Sequence, residues 1–187
     1  LLMAGKSFRT KENADLIQLQ APYLQAEVFF EKWGIPQQLK FSLGLKERKI
    51  QYNSSELASP SCLFGIMPGV LLAPHDLELV KGGPPVRRHY LDFQIAQVDP
   101  LYVHHLMRYQ KAIKQRNMQI RSCKGSVLDI FEEMIGISAT YIMQKREALI
   151  HLLNPLVSKA YQKISGEKEE VALSYAHSFS LPSCEVI

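Results

Sequence analysis

Two short basic stretches carry the residues most able to do chemistry in this 187-residue chain. In KGGPPVRRHYLD, residues 81–92, two glycines and two prolines bring Arg87 and Arg88 to the start of a predicted helix. Free backbone N–H groups give a helix start a partial positive charge, so a cation there loses about 0.3–1 kcal/mol where an acid would gain it. An anion bound at that spot reverses the sign, and phosphate suits both the N–H groups and an arginine fork. The competing account is a surface ion pair between Arg88 and Asp92, four residues apart and in the less favourable order. The residues alone leave both open.

The second stretch, AGKS at 4–7, ends as a G-x-x-x-x-G-K-[ST] phosphate loop ends. Its first glycine would fall before Leu1, and Leu1, Leu2, Met3 and Ala4 do not make a cradle of inward N–H groups. LLMAG reads instead as the last turn of a helix closed by Gly5, and the stretch as a segment of a longer protein. Beyond Gly5 comes a basic loop, Lys6, Arg9 and Lys11, which is either a solvated helix end or a phosphate contact.

A third set is more one-sided. Arg108, Lys111, Lys114, Arg116, Arg121 and Lys124 occur with no acidic residue from 100 to 128, and the first three share a broad helix face through three-residue steps. Such a run is a solvated face or a contact for a polyanion. His75 and Asp76 follow an apolar run through Pro74, where strand ends often carry function, and could equally cap the next short helix. His104 and His105 are adjacent, so their side chains diverge and cannot face one metal. G-x-S-x-G, H-E-x-x-H and paired-carboxylate patterns are absent, which argues against self-sufficient catalysis by this chain.

The elements that must position these residues fall into two blocks. Leu24, Ala26, Val28 and Phe30 alternate with Gln25, Glu27 and Phe29, which predicts a strand. After the WGIP turn, Leu39, Phe41, Leu43 and Leu45 predict its antiparallel partner. Ile50 and Tyr52 predict a short third strand, and MPGVLLAP at 67–74 a more buried one. From Pro85 to about residue 163 the period becomes helical. One helix is expected near 85–97, one from the Asp99–Pro100 signal, and a long one from Ser126. In the last, Leu128, Phe131, Ile135, Ile142, Leu149, Leu153, Leu156 and Ala160 form one apolar stripe, expected to be buried as a helical-hairpin seam. Val171, Leu173 and Tyr175 then predict a returning strand. The class is α/β, and α+β within this segment.

Composition sets the bounds. The chain is 47% hydrophobic and 21% charged, with net charge +4 and pI near 8.9, which permits a nucleic-acid partner without requiring one. Cys62, Cys123 and Cys184 lie far apart without C-x-x-C spacing, so no disulfide framework or zinc site is suggested, and a reducing cytoplasm fits. No apolar run approaches the roughly 18 residues that span a bilayer.

Taken together, LLMAGKSFRT at 1–10, LLAPHDLELVKGGPPVRRHYLD at 71–92, YQKAIKQRN at 109–117 and YQKISGEKEEVALSY at 161–175 resemble the RecF family of recombination-repair proteins, ABC-type ATPases related to chromosome-maintenance heads. The resemblance implies an internal segment, with the Walker A loop before Leu1 and the signature and Walker B motifs after Ile187. It implies an ABC-ATPase-like head with residues 1–80 in a partial first lobe, 81–165 in a helical second-lobe arm, and 166–187 returning to the head. It further implies a whole protein that binds ATP with Mg2+, forms an ATP-dependent homodimer, and acts at single-stranded or gapped DNA with RecO and RecR to assist recombinase loading. Lys6 and Arg9 match the family's post-helix basic loop and Arg87 and Arg88 its double-Arg motif. These four, with Arg108, Lys111 and Lys114, are the expected DNA- or phosphate-facing residues. His75 and Asp76 fall at a Q-loop-like position, where the resemblance implies nucleotide contact. The alternative function is a degenerate, non-catalytic DNA- or mediator-binding domain.

Overall fold

The computed structural model of the chain describes residues 1–10, 12–44, 47–122, 128–166 and 169–177. They form two compact units, Leu1–Pro74 and His75–Ile187.

The first unit is built on alternation. β1 (Tyr23–Lys32), β2 (Ile35–Gly44), β3 (Arg48–Tyr52) and β4 (Ser55–Glu56) form one antiparallel sheet in sequential order. The register sets Leu24 opposite Leu43, Ala26 opposite Phe41 and Val28 opposite Leu39, so the middle of one sheet face is apolar. Leu39 and Phe41 are fully buried there, with Leu43, Ile50 and Leu63 around them. β1 and β2 meet at a two-residue turn, Trp33–Gly34, with Pro36 already in β2 opposite Glu31. Gly5 has φ +64 and donates its N–H to Leu1 O at 2.7 Å, the geometry of a left-handed helix cap. A Cβ at Gly5 would also lie 3.0 Å from the Pro60 side chain, so the position requires glycine on two counts.

The run at 67–74 is not a strand. It joins no sheet ladder among the described residues, and Val70 and Leu72 are 85% and 89% exposed. Apolar character between prolines marks an extended chain, but a strand exists only where a second backbone completes its ladder.

The second unit is helical: α1 (Glu78–Lys81), α2 (Pro84–Ala96), α3 (Pro100–Arg121) and α4 (Leu128–Ser165). The first two expected starts are realised, and the third, Ser126, lies outside the described residues. Pro84 and Pro85 open α2, and the Asp99 carboxylate accepts the Tyr102 N–H at 3.1 Å to cap α3. α3 and α4 are antiparallel, since Tyr102 meets Arg146 near one end and Arg116 meets Glu132 near the other. Tyr102, Ile95 and Ile142 form the core, with Leu106, Tyr109, Tyr141 and Leu149 packed on it.

The α4 stripe is buried only in part. Ile142 is buried and Leu149 and Leu153 half-buried, but Leu156 is 64% exposed and Ala160 is exposed. Length explains this: α4 is about 57 Å long and α3 about 33 Å at 1.5 Å per residue, so the last turns of α4 run past their partner. Pro155 lies in this outer part. The predicted returning strand is extended but carries no ladder among the described residues. Its alternation is still real, since Val171, Leu173 and Tyr175 are half-buried and Ala172, Ser174 and Ala176 exposed. The segment lies against α4, with the Leu173 N–H donated to Asn154 Oδ1 at 2.7 Å and His177 Nε2 lying 3.2 Å from Glu147 Oε1.

Two ionic clusters tie the helices together. Arg146 on α4 places Nε 2.8 Å and a second guanidinium nitrogen 2.7 Å from Asp92 Oδ1 on α2. The same carboxylate accepts the Tyr102 hydroxyl from α3, and Tyr175 on the segment after α4 comes beside Arg146. Both charged side chains are mostly buried, at 12% and 15% exposure. Burial, with the carboxylate beside it, pushes the Tyr102 phenol far above its ordinary value. In the second cluster Asp99 accepts from Lys145 at 2.8 Å and Tyr141 at 2.9 Å. Burial alone would raise the Asp99 pKa, but the hydrogen bonds from Lys145, Tyr141 and the Tyr102 N–H, with the Lys145 charge, bring it below 3.8.

Breaking a buried pair by removing one partner costs about 3–5 kcal/mol, so Arg146→Met is expected to lower the urea-unfolding free energy by about that much. Adding Asp92→Asn should recover part of the loss, because the stranded charge is then gone. The depressed Asp99 pKa contributes stability that is complete above its unfolded value and is lost as pH falls through the lower folded value. Urea unfolding measured below pH 4 should show this acid decline in the wild type and a flatter one in Asp99→Asn.

Candidate nucleic-acid interface

The loop after Gly5 turns through its serine. Ser7 Oγ accepts the N–H groups of Arg9 at 3.0 Å and Thr10 at 3.1 Å. That hydroxyl is occupied in shaping the turn, consistent with rejecting AGKS as a phosphate loop. Lys6 and Arg9 are exposed on this loop, and Lys11 lies outside the described residues.

Arg87 and Arg88 have different environments despite being adjacent. The Arg87 guanidinium donates to Gly82 O at 2.8 Å and Leu79 O at 3.4 Å, at the C-terminal end of α1. A cation opposite helix carbonyls is favourable, so Arg87 is explained by the helix before it rather than by the one it opens. Gly82 lets the chain close α1 this tightly: its N–H donates to Glu78 O at 2.7 Å, and a Cβ there would sit 2.5 Å from that oxygen. Arg88 is exposed and makes no hydrogen bond or ion pair among the described residues. The competing account, an Arg88–Asp92 pair, does not hold, because Arg146 and Tyr102 take the Asp92 carboxylate from across the helix junction. Sequence spacing ranks partners on one helix and has no access to a partner fifty-four residues away. Arg87, Arg88 and His89 edge an open groove of about 1120 Å³ that runs beside α4.

His75 and Asp76 lie in the short helical turn Pro74–Leu77. Leu77 holds the N-cap position of α1, so neither residue occupies it. Asp76 is half-buried. His104 and His105 do not diverge as expected: their rings meet edge to face with centroids 5.8 Å apart, His104 exposed and His105 also stacked on Tyr141 with centroids 4.4 Å apart. Burial, with the charges of His104 and Arg108, holds the His105 imidazole below its ordinary pKa, which favours the neutral ring. No group of three metal-ligating side chains occurs among the described residues, and no helix there is long and apolar enough to cross a membrane.

The outer face of α3 is cationic, with Lys111, Lys114 and Arg121 exposed along it. The seam with α4 takes Tyr102, Tyr109 and Ala112, which turns Lys111 and Lys114 outward and leaves Arg108 half-buried at the margin. Among the described residues none of these three makes an ion pair, whereas Arg116, nearer the seam, donates to Glu132 at 2.7 and 2.9 Å. Arg121 continues the outer set, and Lys124 lies outside the described residues. From Arg108 to Arg121 the face runs about 20 Å, close to the axial rise of six phosphates on one DNA strand.

No family model matches the chain. Among curated proteins, the DNA replication and repair protein RecF of Protochlamydia amoebophila is 48% identical over 174 residues, covering 93% of this chain and 48% of the relative. The chain belongs to the RecF family. RecF of Halalkalibacterium halodurans is 34% identical over 179 residues, again covering 93% of this chain and 48% of the relative. The chain spans about half the length of these relatives. Among solved structures, the recombination mediator protein RecF-ATPrS of the RecFOR pathway superposes with a TM-score of 0.80 at 26% identity, over 89% of this chain and 47% of that one. RecF-ATP of the same pathway gives 0.79, also at 26% identity. The expected α+β class therefore holds, and it is the class of RecF structures.

Within this RecF-family sequence the paired arginines should separate by experiment. Arg87→Ala is expected to lower stability by about 1 kcal/mol in urea unfolding, through the lost carbonyl contacts. Arg88→Ala should leave stability within about 0.5 kcal/mol of wild type. If Arg88 meets a phosphate, its removal should lower the salt slope of DNA binding by about 1.

Proposed function

We propose that this chain is the DNA-facing part of a RecF-type replication and repair protein, and that the outer face of α3 is its main phosphate contact. The observation that carries this reading is the row Lys111, Lys114 and Arg121, directed away from the α4 seam with Arg108 half-buried at its margin, and unopposed by acid on α3. Cations left unpaired over about 20 Å release counterions when they meet a nucleic-acid backbone, a binding term that is sequence-independent. Lys6, Arg9 and Arg88 are further phosphate contacts in this reading, and Arg87 contributes by holding α1 to the start of α2.

Residues 1–80 then supply part of a first lobe and 81–165 the second-lobe arm of an ABC-type head, with 166–187 leading back toward it. In the whole protein the head binds ATP with Mg2+, pairs with a second copy when ATP is bound, and works in the bacterial cytoplasm with RecO and RecR to load recombinase at single-stranded or gapped DNA. The recombination mediator structures with ATP and in the RecFOR pathway support the nucleotide and partner assignments. His75 and Asp76, at the Q-loop-like position, are the nucleotide contacts of this chain in this reading, and they share the short turn Pro74–Leu77. This chain's contribution is to bind and position DNA.

Fluorescence anisotropy with a labelled duplex, repeated across a salt series, tests the assignment. Lys111→Ala and Lys114→Ala should each reduce the slope of log K against log[salt] by about 1 and weaken binding equally across sequences. Unchanged slopes in both variants would remove α3 from the interface.

A further inference from the structure

We propose that Trp33, at the tip of the β1–β2 hairpin, is a base-stacking side chain that receives an unpaired nucleobase. The proposal rests on the nucleic-acid reading above and narrows it to one residue in the sheet unit, remote in sequence from the cationic helix.

Three observations point to it. Trp33 occupies a left-handed backbone position, φ 54, in the two-residue turn it shares with Gly34. Tight hairpin turns of this kind favour Asn, Asp or Gly, and a bulky aromatic residue at positive φ is an outlier that the fold does not need. The indole is also 90% exposed, so it adds nothing to the core built on Leu39 and Phe41. An unfavourable backbone state that brings no burial is the pattern expected of a functional residue. Finally, the ring is braced. Lys32 Nζ donates to Gly65 O at 2.6 Å and Ile66 O at 3.1 Å, and lies 5.0 Å from the indole centroid. A fixed ammonium beside an exposed ring orients the indole before any ligand arrives, which reduces the entropy lost on binding.

The chemistry selects the ligand. A flat, exposed π-surface with an anchored cation beside it matches a stacked base with its phosphate, and every base offers such a face. Bases within a duplex are already stacked on one another, so the partner is a single strand or the unpaired part of a gap.

Trp33 is the only tryptophan in the chain, which makes it its own reporter. The difference between wild-type and Trp33→Phe emission isolates its signal in the full chain or in the whole protein. With oligo(dT) as probe, that emission should be quenched along the same isotherm that anisotropy of the labelled oligonucleotide reports, and a blunt duplex should not quench it. Trp33→Asn, which suits the left-handed turn and removes the ring, should weaken oligo(dT) binding about five- to hundred-fold and leave duplex binding unchanged. Lys111→Ala should weaken both. If oligo(dT) binds while Trp33 emission stays constant, or Trp33→Asn binds it as wild type does, the stacking role is overturned and the nucleic-acid reading survives. Equal quenching by duplex, or a blue-shifted emission in the free whole protein that shows the indole covered, also overturns it. Absence of binding to either DNA removes both readings.

Discussion

The helical unit depends on one buried ionic contact, Arg146 with Asp92. α2, α3 and α4 meet where this pair takes in the Tyr102 hydroxyl, and the extended segment after α4 joins through Tyr175. A mostly buried carboxylate and guanidinium cannot be separated without leaving a charge in a poorly solvating environment. Sliding α3 along α4 by one turn, about 5.4 Å, would take Tyr102 away from both. The contact thus specifies a register that apolar packing between Ile95, Ile142 and Leu106 would fix less sharply.

That register determines which cations are left over. Asp92 is already engaged, so Arg88 has no neighbour on its own helix. Once Tyr102, Tyr109 and Ala112 face α4, the three-residue steps through Arg108, Lys111 and Lys114 lead around the opposite side. Arg116 falls close enough to the seam to find Glu132 and is neutralised. The unopposed face is a geometric result of how the hairpin packs, and it explains how a chain of net charge +4 can still present a strongly one-sided surface.

Much of this was legible in the sequence because it is local. Alternation marked β1, β2 and β3, and Asp99 with Pro100 marked the start of α3, since each signal lies within a few residues of its effect. Two extended runs were read as strands for the same reason, but a strand is a relation between backbones and no local signal reports its partner. Residues 67–74 form no strand among the described residues, and 171–175 rest on a helix. The site was legible by residue type and obscure by role. Arg87 serves α1 through Gly82 and Leu79 carbonyls, a role that required knowing how α1 and α2 are joined. Trp33 passed as part of a turn, because its exposure and backbone angle belong to the folded hairpin alone.

Pro155 gives α4 an uneven stiffness. Proline has no N–H to donate to the His151 carbonyl one turn earlier, and its ring crowds that carbonyl, so the helix is softest there. On one side the rod is clamped by Arg146; on the other about 15 Å continues without α3 beside it. Asn154, which receives the Leu173 N–H, is the residue immediately before the proline. A pull on the extended segment would therefore load the helix at its weakest joint, letting the arm yield there while the clamped end keeps its shape.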